Sequence, residues 1–218
     1  MIEWHEIDTV MLDMDGTLLD LHFDDFFWQN YLPERYADKN DLEIEAAKDF
    51  LFAEFALHSG TLDWYCLDFW SEKLAMDVAA LKEDIRHLIQ IRSGVLEFLD
   101  FLAKNGKKRL LVTNAHDRAL KLKMRETGLS AHFDRIISSH DLGLPKEDVR
   151  FWDALLQIEF FNKHRTLFVD DSFPVLRSAN HYGIKYLFGI SKPSTQAPGK
   201  TSDEFQMLDN FLSLIYTN

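Results

Sequence analysis

The chain has one cysteine, Cys66, in 218 residues. An internal disulfide is therefore excluded, and a reducing compartment is expected. A small buried hydrophobe is the expected role for that thiol. No uninterrupted apolar run approaches the ~18–20 residues that span a bilayer, so no membrane partner is expected. The opening MIEWHEID mixes charges of both signs and lacks the basic-then-apolar order of a secretory leader. A cytoplasmic location follows as the expectation. Positive charge is also scarce: 24 Lys and Arg stand against 36 Asp and Glu, for a net charge of −12. Binding a nucleic-acid backbone needs a basic stripe, so nucleic acid is not expected as a partner. A small anion would need local positive charge from a metal, a lysine or helix N-termini.

What is present is an ordinary globular composition, 46% hydrophobic, enough for one sizeable core or a core with a small accessory unit. Five short apolar runs read as strands: Thr9–Leu12, Arg109–Val112, Arg135–Ser138, Thr166–Val169 and Ile184–Phe188. Helical patterns separate them. One begins at Ser93 and stops at Gly106, and another runs from Asp117 to Gly128. A third begins near Glu147, and a fourth follows Pro174 and stops at Gly183. Strands alternating with single helices predict an α/β fold, a parallel Rossmann-like sheet flanked by helices. Leu21 to Arg92 shows no convincing strand and reads as all-helical, with patterns starting at Asp41, Asp63 and Asp77. SKPSTQAPGKTS, residues 191–202, reads as a surface loop, and the tail FQMLDNFLSLIYTN as a docking helix.

The chemistry concentrates at strand ends. MLDMDGTLLD places Asp13, Asp15 and Gly16 directly behind the first apolar run. The second run ends in Thr113 and Asn114, and the fourth in Asp170 and Asp171. GLPKED puts Lys146 just after a proline, at an expected helix start. The C-terminal edge of a parallel sheet is where ligands bind, so these groups are expected to meet there. Several carboxylates packed together repel, and a hard divalent cation with oxygen ligands, Mg²⁺, resolves the conflict. Thr113 and Lys146 beside such an ion would form a cradle for a phosphoryl group.

DMDGTLLD, VTNA, PK and FVDDS, in that order, closely resemble the motifs of the haloacid dehalogenase superfamily across about residues 8–190. The resemblance implies that Asp13 is a nucleophile forming an aspartyl-phosphate and that Asp15 is the general acid and base. It implies that Gly16 lets the backbone turn close to the phosphoryl oxygens. Thr113 would donate to the phosphoryl group, Asn114 would orient it and Lys146 would neutralise it. The implied Mg²⁺ ligands are the Asp13 carboxylate, the Asp15 backbone carbonyl and Asp171, with Asp170 acting through water; a shifted register would exchange the last two. Dehalogenases of the superfamily lack the second aspartate, since halide leaves unprotonated; Asp15 therefore favours phosphoryl chemistry. Residues 21–92 occupy the place of a C1-type cap on a core of residues 1–20 and 93–218. In the cap, Trp64 or Tyr65 would stack on a base or else simply pack the helices. His116, next to VTNA, would touch substrate or be a plain loop residue.

DMDGTLLDLHFDDFFW, TLDWYCLDFWSEKL, TNAH, LPKED and TLFVDDS further resemble the purine 5′-nucleotidase (GMP/IMP nucleotidase) branch. The expected substrate is a nucleoside monophosphate. A broad sugar-phosphate phosphatase, a phosphomutase and a non-catalytic binding protein are the alternatives. The last is disfavoured because no motif residue is missing. The sequence leaves the oligomeric state open.

Overall fold

The computed structural model describes residues 2–215. After β1 (Thr9–Leu12) the chain enters a long helical segment: α1 (His22–Phe26), a π turn over Phe27–Tyr31, α2 (Leu32–Asn40), α3 (Ile44–His58), α4 (Leu62–Tyr65), α5 (Leu67–Leu74) and α6 (Val78–Asp84). It then alternates: α7 (Val95–Lys104), β2 (Lys108–Thr113), α8 (Asp117–Thr127), β3 (Arg135–Ser138), α9 (Ser139–Leu142), α10 (Arg150–Ile158), β4 (Thr166–Asp170), α11 (Phe173–Tyr182), β5 (Tyr186–Ile190) and β6 (Gln206–Leu208). The six strands form one sheet in the order β3-β2-β1-β4-β5-β6, and every neighbouring pair is parallel. This is the Rossmann-like α/β fold that the alternation predicts.

β1 lies at the centre and is buried at all four positions. Successive side chains point to opposite faces. Val10 and Leu12 join Leu111, Leu167 and Val169 against Val95, Phe98 and Leu102 of α7. Met11 joins Leu110, Val112 and Phe168 against Phe151, Trp152 and Leu155 of α10 and Leu176 of α11. A third cluster, around Phe23, Phe27, Leu51, Phe55 and Trp70, fills the helical segment and packs on Ala119 and Leu122 of α8. Register sets the site: Leu12 is level with Leu111 and with Val169, so Asp13 and Asp170 emerge side by side.

Four details differ from the sequence reading. β5 starts two residues later than expected, because Gly183 (φ +99°) and Ile184 close α11, the Ile184 N–H donating to the Ala179 carbonyl at 3.1 Å. The tail is an edge strand, β6, followed by a 3₁₀ turn over Phe211–Leu214, not a docking helix; Asn210 Oδ1 caps the turn through the Leu212 N–H. Residues 216–218 of that tail lie outside the described residues. Lys146 sits in a turn, and α10 begins only at Arg150. Cys66 is half-buried at the joint between α4 and α5, where its sulfur accepts the Phe69 N–H at 3.4 Å; it is not a core hydrophobe. Among the described residues no helix is long and apolar enough to cross a membrane.

Leu111 is fully buried at the centre of β2. Leu111→Ala is expected to cost about 2–5 kcal/mol of folding stability, read by denaturant unfolding.

Candidate active site

β1 delivers Asp13, whose N–H extends the ladder to the Val169 carbonyl at 3.0 Å. The chain then turns tightly. The Leu18 and Leu19 N–H groups both donate to the Met14 carbonyl, and the Gly16 N–H donates to the Leu19 carbonyl at 2.9 Å. Gly16 adopts φ +76°, and a Cβ there would lie 2.8 Å from Asp171 Cγ. Only glycine fits this conformation and this approach. Its N–H is spent on Leu19, so Gly16 contributes room rather than a donor.

Lys146 is buried beneath the sheet edge. Its Nζ donates to Asp13 Oδ1 (2.5 Å), Asp170 Oδ2 (2.7 Å) and the Val112 carbonyl (3.0 Å). The loop carrying it is fixed by Asn114, whose Oδ1 accepts the Lys146 N–H at 3.0 Å. Asn114 Nδ2 donates to Glu147 Oε2 (2.9 Å), and Tyr65 donates its phenol proton to Glu147 Oε1 (2.6 Å). Asn114 therefore has both ends of its amide on protein partners. Thr113 is buried; its Oγ1 accepts the Ala115 N–H at 3.0 Å, leaving the hydroxyl proton to donate elsewhere.

The acids are crowded. Carboxylate oxygens of Asp13, Asp170 and Asp171 lie within 4.8 Å of one another. Burial pushes Asp13 up to about 6 against the pull of Lys146. Asp170 is likewise pushed up to about 6 by burial, and Asp171 to about 7 by burial and by repulsion from Asp13. Asp170 is already committed: besides Lys146, its Oδ1 accepts the Ser172 N–H at 2.8 Å. Asp171 is paired more loosely, with Lys200 at 3.6 Å and Lys146 acting on it from further away, so its carboxylate is the freer of the two. An all-oxygen set of elevated, mutually repelling carboxylates fits a hard divalent cation.

A second buried network was not legible in the motifs. Asp15 Oδ1 accepts Lys123 Nζ (2.6 Å), Lys123 also donates to Asp24 Oδ2 (2.7 Å), and Asp24 Oδ1 accepts Lys82 Nζ (2.7 Å). Both lysines are buried. Burial pushes Asp15 up to about 6 despite Lys123. Burial acts the same way on Asp24, yet its two ammonium neighbours prevail and hold it at about 2. The available signal was positional: Lys123 shares a helix face with Ala119, and Lys82 with Val78 and Ala79.

These groups surround a cavity of about 390 Å³ between the sheet edge and the helical segment. Asp13, Asp15, Thr113, Asn114, Lys146, Asp170 and Asp171 all line it, as do Trp64, Tyr65 and His116. Trp64 is stacked on Trp28 at 5.7 Å and meets Phe55 edge-on. Burial and Glu147 raise the Tyr65 phenol, so it stays a donor.

The model of the haloacid dehalogenase-like hydrolases matches residues 7–183. The chain belongs to this family. Within it, the chain is 40% identical over 214 residues to the GMP/IMP nucleotidase YrfG of Escherichia coli, a match covering 98% of this chain and 96% of that protein. The Shigella flexneri protein of the same name matches to the same extent. Solved structures of the same fold include a phosphatase of this family from Thermococcus onnurineus (TM-score 0.79, 20% identity, 95% and 96% of the two chains). They also include an L-2-haloacid dehalogenase from Xanthobacter autotrophicus (TM-score 0.63, 16% identity, 95% and 96%). Because the fold carries phosphatase and dehalogenase names alike, it fixes the architecture of this haloacid dehalogenase-like hydrolase but not its substrate.

The raised carboxyls give a signed pH expectation. A carboxyl raised from 3.8 to about 6 or 7 in the folded state stabilises the protein below its ordinary range. That contribution is lost as pH rises through about 6–7. Chelator-treated protein is therefore expected to gain stability from about pH 8 to pH 5. Added Mg²⁺ should raise the melting temperature more at the higher pH, and Asp171→Asn should flatten the slope. Asp24, which is depressed, acts in the opposite sense only below about pH 4.

Proposed function

We propose that this hydrolase is a Mg²⁺-dependent phosphomonoesterase acting on purine nucleoside 5′-monophosphates, GMP and IMP among them. The reaction class, phosphoric monoester hydrolysis, follows from the family and the nucleotidase relative. The substrate rests on one observation above all: the 40% identity to that nucleotidase runs through 98% of the chain, the helical segment included. Asp15, the acid that an alkoxide leaving group needs, supports the same class.

Asp13 is the nucleophile. Lys146 holds its Oδ1, and the other oxygen attacks phosphorus. The P–O ester bond breaks, and Asp15 gives its proton to the departing 5′ oxygen. Burial of Asp15, which brings it to about 6, keeps part of it protonated near neutral pH. Water then attacks the aspartyl-phosphate, Asp15 takes the water's proton, and inorganic phosphate leaves. Thr113 donates to the phosphoryl oxygens, Lys146 neutralises them, and Asn114 holds the Lys146 loop in place. The cation would lie on Asp13, Asp171 and the Asp15 backbone carbonyl, with Asp170 behind; when bound, it neutralises the crowded acids and the phosphoryl oxygens.

Residues 21–92 act as a cap over a core of residues 1–20 and 93–218. The cavity between them is closed on the cap side by aromatic rings, and Trp64 and Tyr65 offer the base its apolar wall. The same reading puts the enzyme in the cytoplasm, with a small phosphate monoester as its partner.

The test is phosphate release across nucleotides and sugar phosphates with Mg²⁺. The highest kcat/KM is expected for GMP or IMP, and Asp13→Asn should lose at least about 10³-fold in kcat. A preference for sugar phosphates would overturn the substrate, isomerised product without free phosphate would identify a mutase, and wild-type rates in Asp13→Asn would remove the nucleophile.

A further inference from the structure

A second set of metal-ligating side chains lies beside the acidic site, and nothing in the phosphoryl chemistry uses it. β2 and β3 pair with Thr113 level with Ser138, so the residues just past their ends come together. His116 precedes α8 and His140 lies in α9; their rings are 5.0 Å apart and nearly perpendicular, at 87°. The helical segment brings Cys66, at the joint of α4 and α5. One donor atom from each of Cys66, His116 and His140 lies within 4.8 Å of the other two.

Two features mark this as more than a chance cluster. His116 Nδ1 and His140 Nε2 are closed off from solvent and have no hydrogen-bond partner among the described residues. Buried imidazole nitrogens without partners are disfavoured, and a cation between them would satisfy both. The second feature is how the remaining atoms are held. Asp68 Oδ2 lies 3.6 Å from His116 Nε2, beyond hydrogen-bond length but near enough to favour the proton on Nε2 and leave Nδ1 to ligate. The Phe69 N–H fixes the Cys66 sulfur at 3.4 Å. Burial and the neighbouring His116 keep His140 below its ordinary value, in the neutral form that ligates.

We propose that Cys66, His116 and His140 form a metal site for a borderline transition ion, Zn²⁺, that ties the helical segment to the C-terminal edge of the sheet. One sulfur and two imidazoles are the wrong donors for Mg²⁺ and the right ones for Zn²⁺, so the two neighbouring sites sort cations by donor type. Tetrahedral Zn²⁺ with bonds of ~2.0–2.3 Å draws its ligands to about 3.3–3.6 Å of one another, a small inward rotation from the spacing seen here. On binding, the Cys66 thiol loses its proton to solvent and its sulfur becomes a ligand. Three protein ligands leave a fourth position for water or another donor; of the three, His116 also lines the cavity. Because Cys66 belongs to the helical segment and the histidines follow β2 and β3, the ion holds these two parts of the chain together.

The experiment is a Co²⁺ titration of the full chain with Mg²⁺ in excess to fill the carboxylate site. The expected result is a near-ultraviolet thiolate-to-cobalt band that saturates at one equivalent and is displaced by Zn²⁺. Cys66→Ser should abolish the band, His140→Ala should weaken binding by about 10–100-fold or more, and Asp171→Asn should leave the band in place. Zn²⁺ should raise the melting temperature of the wild-type protein but not of Cys66→Ser, whose metal-free melting temperature is the check on its folding. Absence of the band in wild type, its survival in Cys66→Ser, or Co²⁺ binding that Asp171→Asn removes and Cys66→Ser spares would each overturn the proposal.

Discussion

Lys146 gives its ammonium protons to the end of the sheet: two go to carboxylates that start on different strands, and one to a backbone carbonyl on a third. Asp13 and Asp170 leave β1 and β4 level with each other because the two strands pair in parallel register. Parallel pairing thus makes the crowding, and the lysine makes it tolerable. Removing one partner from a buried pair costs about 3–5 kcal/mol, because the charge left behind stays buried. Most of the site hangs on this one side chain. Asn114 holds its backbone, and Glu147, the next residue, holds Asn114. The lysine offsets only part of what burial and mutual repulsion cost these acids, so Asp13, Asp170 and Asp171 all remain elevated. That unrelieved crowding of oxygen ligands is what suits the site to a cation.

The second buried pairing has a different purpose in the architecture. Lys123 belongs to α8, beside the sheet, and Asp24 and Lys82 to the helical segment. Charges alternate along Asp15, Lys123, Asp24 and Lys82, each within hydrogen-bonding distance of the next. The helical segment is therefore tied to α8 by ion pairs as well as by the packing of Leu122 and Ala119 on the third cluster. Among the described residues Asp15 accepts a side-chain hydrogen bond on one oxygen, Oδ1, so its position is set while Oδ2 is left without such a partner.

The central strands were readable because each is an apolar run buried on both faces, and a polar residue directly after such a run marks its end. That is why the sequence alone puts Asp13, Thr113 and Asp170 at one sheet edge. β6 was not readable: three residues give no period, and the apolar positions around them suit a helix equally well. Lys123 and Asp24 were missed because their partners are 108 and 58 residues away in the chain, and a buried lysine is written with the same letter as a solvated one. Lys146 meets Asp13 and Asp170, but from a turn and not from the helix start that the sequence suggests. The Asn114 side chain takes its N–H, which keeps the residues before Arg150 in a turn.

Tyr65 reaches Glu147 across the cavity, and Glu147 leads through Asn114 to the Lys146 loop. Any outward swing of α4 must break the phenol's hydrogen bond and leave a carboxylate short of one donor. Asn114 then feels a changed pull on its amide, and so does the backbone that aims the ammonium. Displacing α4 and loosening the hold on the Lys146 backbone are in this way a single event.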